Sequence, residues 1–233
     1  GYINGNNIFN MLNSLAVGYQ DSINFNNLPI PYACVSVNAM DGSQKIHRDG
    51  SLPTAMRASM AIPGVFTPVH VGNEVLVDGG MLNNFPVDVC KAMGADIIIG
   101  VNLSGGLSSD KDKISALPGL LGQLFGIITG NQVQAHAQMC NIYLNPNLKE
   151  GGYGTLSFDK KSIKEIMEIG YNTAAAKRDE FVALRGELET YGVDLSQKYQ
   201  NKKAVNLLEE EIAVTEVVWT GIREEDIPWM VRK

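Results

Sequence analysis

Apolar residues recur at helical spacing near the start of the chain. In residues 6–20, Ile8, Phe9, Leu12, Leu15 and Ala16 fall on one side, which predicts an amphipathic helix. A polar turn follows at residues 24–27. The period then drops to two over residues 31–40, where Ala33, Val35, Val37 and Ala39 alternate with other residues as in a strand. Asp41-Gly42 is a hairpin signal with a return strand at 44–48. Ser51 and Pro53 mark a helix start, and that helix is expected to stop before Pro63-Gly64.

Residues 75–77 predict a short strand running into Asp78-Gly79-Gly80. A helix is expected over 86–93, with Val87, Cys90 and Met93 on its inner face and Gly94 as its stop. Residues 97–101 are an almost unbroken apolar run of the kind found in strands buried on both faces of a parallel sheet. A polar loop at 104–113, a glycine-interrupted helix at 117–139 and a strand at 141–145 come next. Ile163, Ile166, Met167, Ala174, Phe181, Leu184 and Leu188 then predict one long helix over 160–190, closed by Gly192. This order favours an α/β fold, layered α/β/α, with a mostly parallel sheet.

Composition narrows the classes. The net charge of −6 and pI near 5.1 leave no basic stripe for phosphates, so nucleic acid is not an expected partner. No run approaches the roughly 20 apolar residues of a spanning helix. Cys34, Cys90 and Cys140 lack metal-ligand spacing and make no disulfide framework. Cys34 and Cys90 lie in apolar contexts and are expected to be buried. Three free thiols lean towards a reducing compartment. The ends, Gly1-Tyr2 without an initiator methionine and Pro228 to Lys233 inside an amphipathic pattern, are expected to be cut from a longer protein.

Asp78 is the candidate for chemistry. Read by spacing alone, Asp78-Gly79-Gly80 is a tight turn, because aspartate and glycine tolerate positive φ. Read for function, a strand end followed by two glycines holds a carboxylate rigidly at the mouth of a pocket. The three histidines, His47, His70 and His136, lie on separate elements and are expected to be solvated or core residues. The order Asp78 then His136 would suit a hydrolase triad, yet nothing local supports one. Ser104-Gly105-Gly106 is too short a motif for a phosphate loop and reads as a flexible loop.

The stretch Arg57-Ala58-Ser59-Met60-Ala61-Ile62-Pro63-Gly64, then Val77-Asp78-Gly79-Gly80-Met81 and Asn83-Asn84-Phe85-Pro86, resembles the second half of a patatin-like phospholipase domain. The resemblance is strong over 51–102 and weaker elsewhere in 1–190. It implies a Ser–Asp dyad, in which the serine of Gly-x-Ser-x-Gly attacks an ester and an aspartate activates it, with no metal or cofactor. Asp78 is the matching aspartate, Gly79 and Gly80 its supporting turn, and Arg57 and Ser59 structural parts of a pocket-lining helix. No Gly-x-Ser-x-Gly occurs here; the nearest approach, Asn102-Leu103-Ser104-Gly105-Gly106, lacks the first glycine. The chain is therefore expected to carry the base without the nucleophile, and to be inactive alone.

The resemblance implies a phospholipid or other lipid ester as substrate, with transient contact at a membrane surface. The expected organisation is the C-terminal portion of the hydrolase domain over 1–192, a linker over 193–211 and the start of another module over 212–233. That last segment, Ala213 to Ile222 with a helix after it, resembles the opening of a POTRA module; the alternative is a C-terminal strand and helix that pack back on the main domain. This favours the periplasmic face of a bacterial outer membrane over the cytoplasm, against the lean of the free thiols. Two rivals remain: a non-catalytic scaffold attached to an outer-membrane barrel, and an unrelated α/β enzyme or binding domain sharing only the architecture. A domain lacking its first strands should also expose an open sheet edge and an apolar face, so self-association is expected.

Overall fold

The computed structural model describes residues 3–104, 117–148, 152–153, 157 and 159–192. The chain divides into two compact units, Gly1–Gln200 and Asn201–Lys233. The second unit, with the expected linker at 193–211 and module at 212–233, lies outside the described residues.

Strands β1 (Ile23–Asn24), β2 (Cys34–Asn38), β3 (Gln44–His47), β4 (Asp49–Gly50), β5 (Val69–Val71), β6 (Glu74–Asp78), β7 (Ile99–Val101) and β8 (Ile142–Leu144) alternate with helices α1 (Asn6–Leu15), α2 (Leu52–Ser59), α3 (Val87–Ala92), α4 (Leu117–Ala137), α5 (Lys160–Ala175) and α6 (Arg178–Thr190). The class is α/β. The main sheet has the order β3-β2-β6-β5 and every pairing in it is antiparallel. Among the described strands the parallel ladder is β7 with β8. The expectation of a mostly parallel sheet is corrected accordingly: the short connections at 39–43 and 72–73 return the chain as hairpins, which only antiparallel strands allow.

Several elements fall where the periodicity places them. Gly42, at φ 73°, closes the β2–β3 hairpin, with its N–H bonded to the Asn38 carbonyl. All five residues of β2 are buried, so its alternation does not sort an inner from an outer face. Helix α1 stops at Leu15, short of residue 20, and the chain leaves through a turn with Gly18 at φ 86°. The polar turn at 24–27 contains Phe25, which is fully buried against Cys34 and Ala55. Pro53 sits in the first turn of α2, while Ser51 caps it without a side-chain bond to the backbone.

Three further expectations are corrected. The long helix over 160–190 is broken: Lys177 adopts φ −99°, ψ 13°, and its N–H reaches back to Ala174 instead of the fourth carbonyl. Strand β7 buries only Gly100; Ile99 and Val101 remain about half exposed, at 49% and 51%. In α3 the inner residues are Val87 and Val89, and Cys90 is exposed. The helix is only six residues long, and Val87 packs with Phe85 and Ile98 in the second core cluster, where Phe85 meets Tyr143 edge-on at 5.9 Å. No described helix is long and apolar enough to cross a membrane.

Helix α1 packs on α2, which in turn covers β2 and β6. At Asp78, where β6 ends, the strand meets the middle of β2 and the segment that follows α2. Helix α4 rests on the turn that follows and on α3.

Candidate active site around Asp78

Asp78 ends β6 and caps a single 3-10 turn, Gly79–Met81. Its backbone N–H is bonded to the Ala61 carbonyl at 3.0 Å, which ties the strand end to the loop after α2. Its Oδ1 accepts from the Gly80 N–H at 2.7 Å. Across the sheet it is in register with Ser36 of β2.

The turn owes its glycines to close approach. Neither Gly79 nor Gly80 has positive φ, so the left-handed freedom read from the sequence is not what the turn uses. A Cβ on Gly79 would lie 2.3 Å from the Val35 carbonyl oxygen. One on Gly80 would lie 2.6 Å from Asn84 Oδ1 and 3.0 Å from Asp78 Oδ1. The backbone passes directly over β2, and only hydrogen fits there.

Asp78 faces a cavity of about 740 Å³. Ile8 and Met11 of α1, with Met60, Ile62 and Phe66 from the segment after α2, make its walls apolar. Asp78, Asn83, Asn84, Cys34 and Ser59 are its polar lining residues. Burial raises the Asp78 carboxyl above the usual carboxylate range, and the Gly80 N–H offsets part of that rise. A carboxylate so placed is a better proton acceptor than one in water. Burial likewise pushes the Cys34 thiol up, against hydrogen bonds with Tyr32 and Ser59, so it is held as the unreactive thiol.

The other residues singled out in the sequence lie apart from this cavity or behind it. Arg57 is 5% exposed; its Nη2 donates to the Asn4 and Thr67 carbonyls and its guanidinium lies 5.2 Å from the Phe66 ring centre. It holds the cavity wall from outside. His47 is buried with its Nε2 2.7 Å from Ser36 Oγ, and burial lowers its pKa. His70 is exposed on β5. His136 is bonded through Nδ1 to the Phe85 carbonyl at 2.6 Å and lies 3.8 Å from Asp88, so its partners are Phe85 and Asp88. Ser104 Oγ accepts from Asn84 Nδ2 at 2.9 Å; Gly105 and Gly106 lie outside the described residues. Among the described residues no group of three His, Cys, Asp or Glu could hold a metal.

Asn83 and Asn84, quoted with the resembling stretch but given no role from the sequence, line the cavity. Their signal was adjacency: a pair of carboxamides between a glycine turn and Pro86.

Residues 13–91, which contain the whole of the Asp78 turn, match the family model of patatin-like phospholipases. This segment is similar to patatin-like phospholipases. An NTE family protein of Mycobacterium tuberculosis, itself uncharacterised, is 39% identical to the chain over 115 residues, covering 47% of the chain and 20% of that protein. A second such protein from the same organism is 41% identical over 78 residues, covering 34% of the chain and 22% of its own length. The patatin-like phospholipase domain-containing protein 7 of Rattus norvegicus is 28% identical over 179 residues, covering 66% of the chain and 13% of that protein. The chain thus spans a fifth or so of the two mycobacterial relatives and less of the rat protein. The patatin-like segment ends inside α3, so β7, β8 and the later helices lie beyond it.

Proposed function

We propose that the chain is the base-bearing part of a lipid acyl hydrolase acting through a Ser–Asp dyad. Asp78 is the base, and Gly79 and Gly80 shape its turn. The nucleophile, a serine in Gly-x-Ser-x-Gly, belongs to a segment N-terminal to Gly1. Residues 1–192 then form the C-terminal portion of the hydrolase domain, 193–211 a linker and 212–233 the start of a following module. The observation that carries this reading is a carboxylate of raised pKa, fixed by backbone bonds, facing an apolar cavity of about 740 Å³ inside the patatin-like segment.

The chemistry follows from that setting. A serine hydroxyl becomes a useful nucleophile when a positioned base takes its proton. The Gly80 N–H occupies Oδ1 of Asp78, which leaves Oδ2 for that proton. The apolar walls suit the acyl chain of a phospholipid or another lipid ester, and a membrane surface is where such a substrate is met. No metal or cofactor takes part.

Hydrolysis of a short p-nitrophenyl ester tests the reading. The chain alone should be silent, and a form extended at its N-terminus through the serine segment should turn over. Asp78→Asn in that form should lower kcat by about 10²–10⁴-fold, the usual contribution of a general base. Because the base works ionised, the acid limb of the pH profile should lie above the usual carboxylate range, in keeping with the raised pKa. A folded extended form that hydrolyses nothing would leave the scaffold reading in its place.

A further inference from the structure

Strand β7 bonds to β8 through alternate residues. The Ile98 carbonyl accepts from the Asn141 and Ile142 N–H groups, and the Asn102 N–H donates to the Leu144 carbonyl at 2.8 Å. In a parallel ladder every second residue faces the same neighbour, so Ile99 and Val101 turn their N–H and C=O groups to the opposite edge. Among the described residues no strand pairs there. The side chains alternate as well. Ile98, Gly100 and Asn102 are buried on one face, where a Cβ on Gly100 would lie 2.5 Å from both Phe85 and Cys140 Sγ. Ile99, Val101 and Leu103 form an exposed apolar strip on the other face.

The C-terminal end of this strand reaches the cavity. Ser104 Oγ accepts from Asn84 Nδ2 at 2.9 Å. Asn84 lines the cavity together with Asp78, and its Oδ1 lies close over Gly80. A strand running alongside β7 in the same direction therefore ends beside the Asp78 turn.

The chemistry of the edge selects its partner. Apolar surface alone would cover Ile99 and Val101 but leave their N–H and C=O groups unmet, whereas an added strand satisfies both. A second copy related by a two-fold axis would pair β7 with itself, which is antiparallel.

We propose that the free edge of β7 receives the serine-bearing segment, which adds a strand parallel to β7 along residues 99–103; this rests on the Ser–Asp reading and gives its nucleophile a way to Asp78. The serine of Gly-x-Ser-x-Gly sits on a sharp turn from a strand into a helix. Parallel pairing places such turns at the Ser104 end, next to Asn84 and the cavity. Antiparallel pairing would place them at the Ile98 end, about 16 Å further along at strand spacing. The helix after the turn lies over Ile99, Val101 and Leu103 and covers their apolar strip.

Amide hydrogen exchange tests this. In the dilute 233-residue chain the Ile99 and Val101 N–H groups should exchange fast, and the Asn102 N–H, bonded to Leu144, slowly. In the form extended at its N-terminus through the serine segment, Ile99 and Val101 should slow by about a hundredfold or more while Asn102 changes little. Val101→Pro removes one donor from the free edge, where proline is tolerated. It should leave the urea midpoint of the 233-residue chain unchanged and lower p-nitrophenyl ester turnover by the extended form by about tenfold or more. Val101→Thr, which keeps the N–H, should turn over normally. Exchange at Ile99 and Val101 that stays fast in the extended form overturns the proposal. So does protection there that rises with protein concentration, which would give the edge to a second copy. A crystal structure of the extended form reads the direction, and an antiparallel strand on this edge also overturns it. Protection by a parallel strand without any ester hydrolysis defeats the hydrolase reading and leaves the pairing standing.

Discussion

The two glycines after Asp78 meet different neighbours, and the difference predicts different failures. At Gly79 a methyl group strikes the Val35 carbonyl, which is backbone in the middle of the main sheet. Nothing there can swing aside, so Gly79→Ala should cost about 3 kcal/mol by forcing β2 and the turn apart. At Gly80 the obstacles are the Asn84 and Asp78 side chains. These can rotate, so Gly80→Ala should cost within about 1 kcal/mol while displacing the carboxylate. Urea denaturation of the two variants in the 233-residue chain measures the contrast, and equal losses would contradict it. The sequence showed that this turn was special and misjudged why. Asp-Gly-Gly suggests positive φ, whereas the operative fact is a carbonyl from a strand some 40 residues earlier. Asn83 was illegible for a similar reason: a carboxamide between turns looks solvated until the fold buries it at 2% exposure.

At the scale of elements, α1 and α2 are joined through one cation. Arg57 reaches from α2 to the Asn4 carbonyl just before α1 and to the Thr67 carbonyl before β5, and lies over Phe66. Gly5, at φ 74°, lets the chain pass against the guanidinium: a Cβ there would lie 2.5 Å from Nε. Hydrogen bonds to charged groups contribute about 1.5–3 kcal/mol each, so Arg57→Met, which keeps the stem, should lose about 2–4 kcal/mol. Arg57→Lys should recover only part of this, because one ammonium does not reproduce the planar fork. The loss should be read by urea denaturation together with faster proteolysis near α1; resistance equal to wild type would remove Arg57 from this role. Helix and strand positions along this stretch were legible because burial imposes its period on the sequence. The break between α5 and α6 was not, since residues 176 and 177 are alanine and lysine, and neither is a helix breaker.

For the whole molecule, alternation reveals which residues face inwards but not which strand lies alongside. The apolar run at 97–101 was read as a strand covered on both faces, and its parallel pairing with β8 is what such a run suggests. The separate four-stranded main sheet is antiparallel, and two of its pairings are set by connections too short for crossovers. Strand β7 pairs with β8 on one side, and among the described residues no strand pairs with its other edge. Ile99 and Val101 are half exposed on one face. Such a strand recruits neighbours, so sedimentation of the 233-residue chain should show association that grows with concentration. Lysine at both positions should shift it towards monomer, and a monomer over the whole concentration range for the unaltered chain would refute the expectation.

The carboxylate of Asp78 is located entirely by main-chain atoms: the Ala61 carbonyl, the Gly80 N–H and the Val35 carbonyl beneath Gly79. The cavity walls, by contrast, are side chains such as Met11, Met60 and Ile62. Fixing the acid and shaping the void are thus separate tasks with separate atoms. Wall residues are free to drift over evolutionary time, or to be exchanged by an engineer, so that the range of molecules the cavity admits changes while the carboxylate keeps its place.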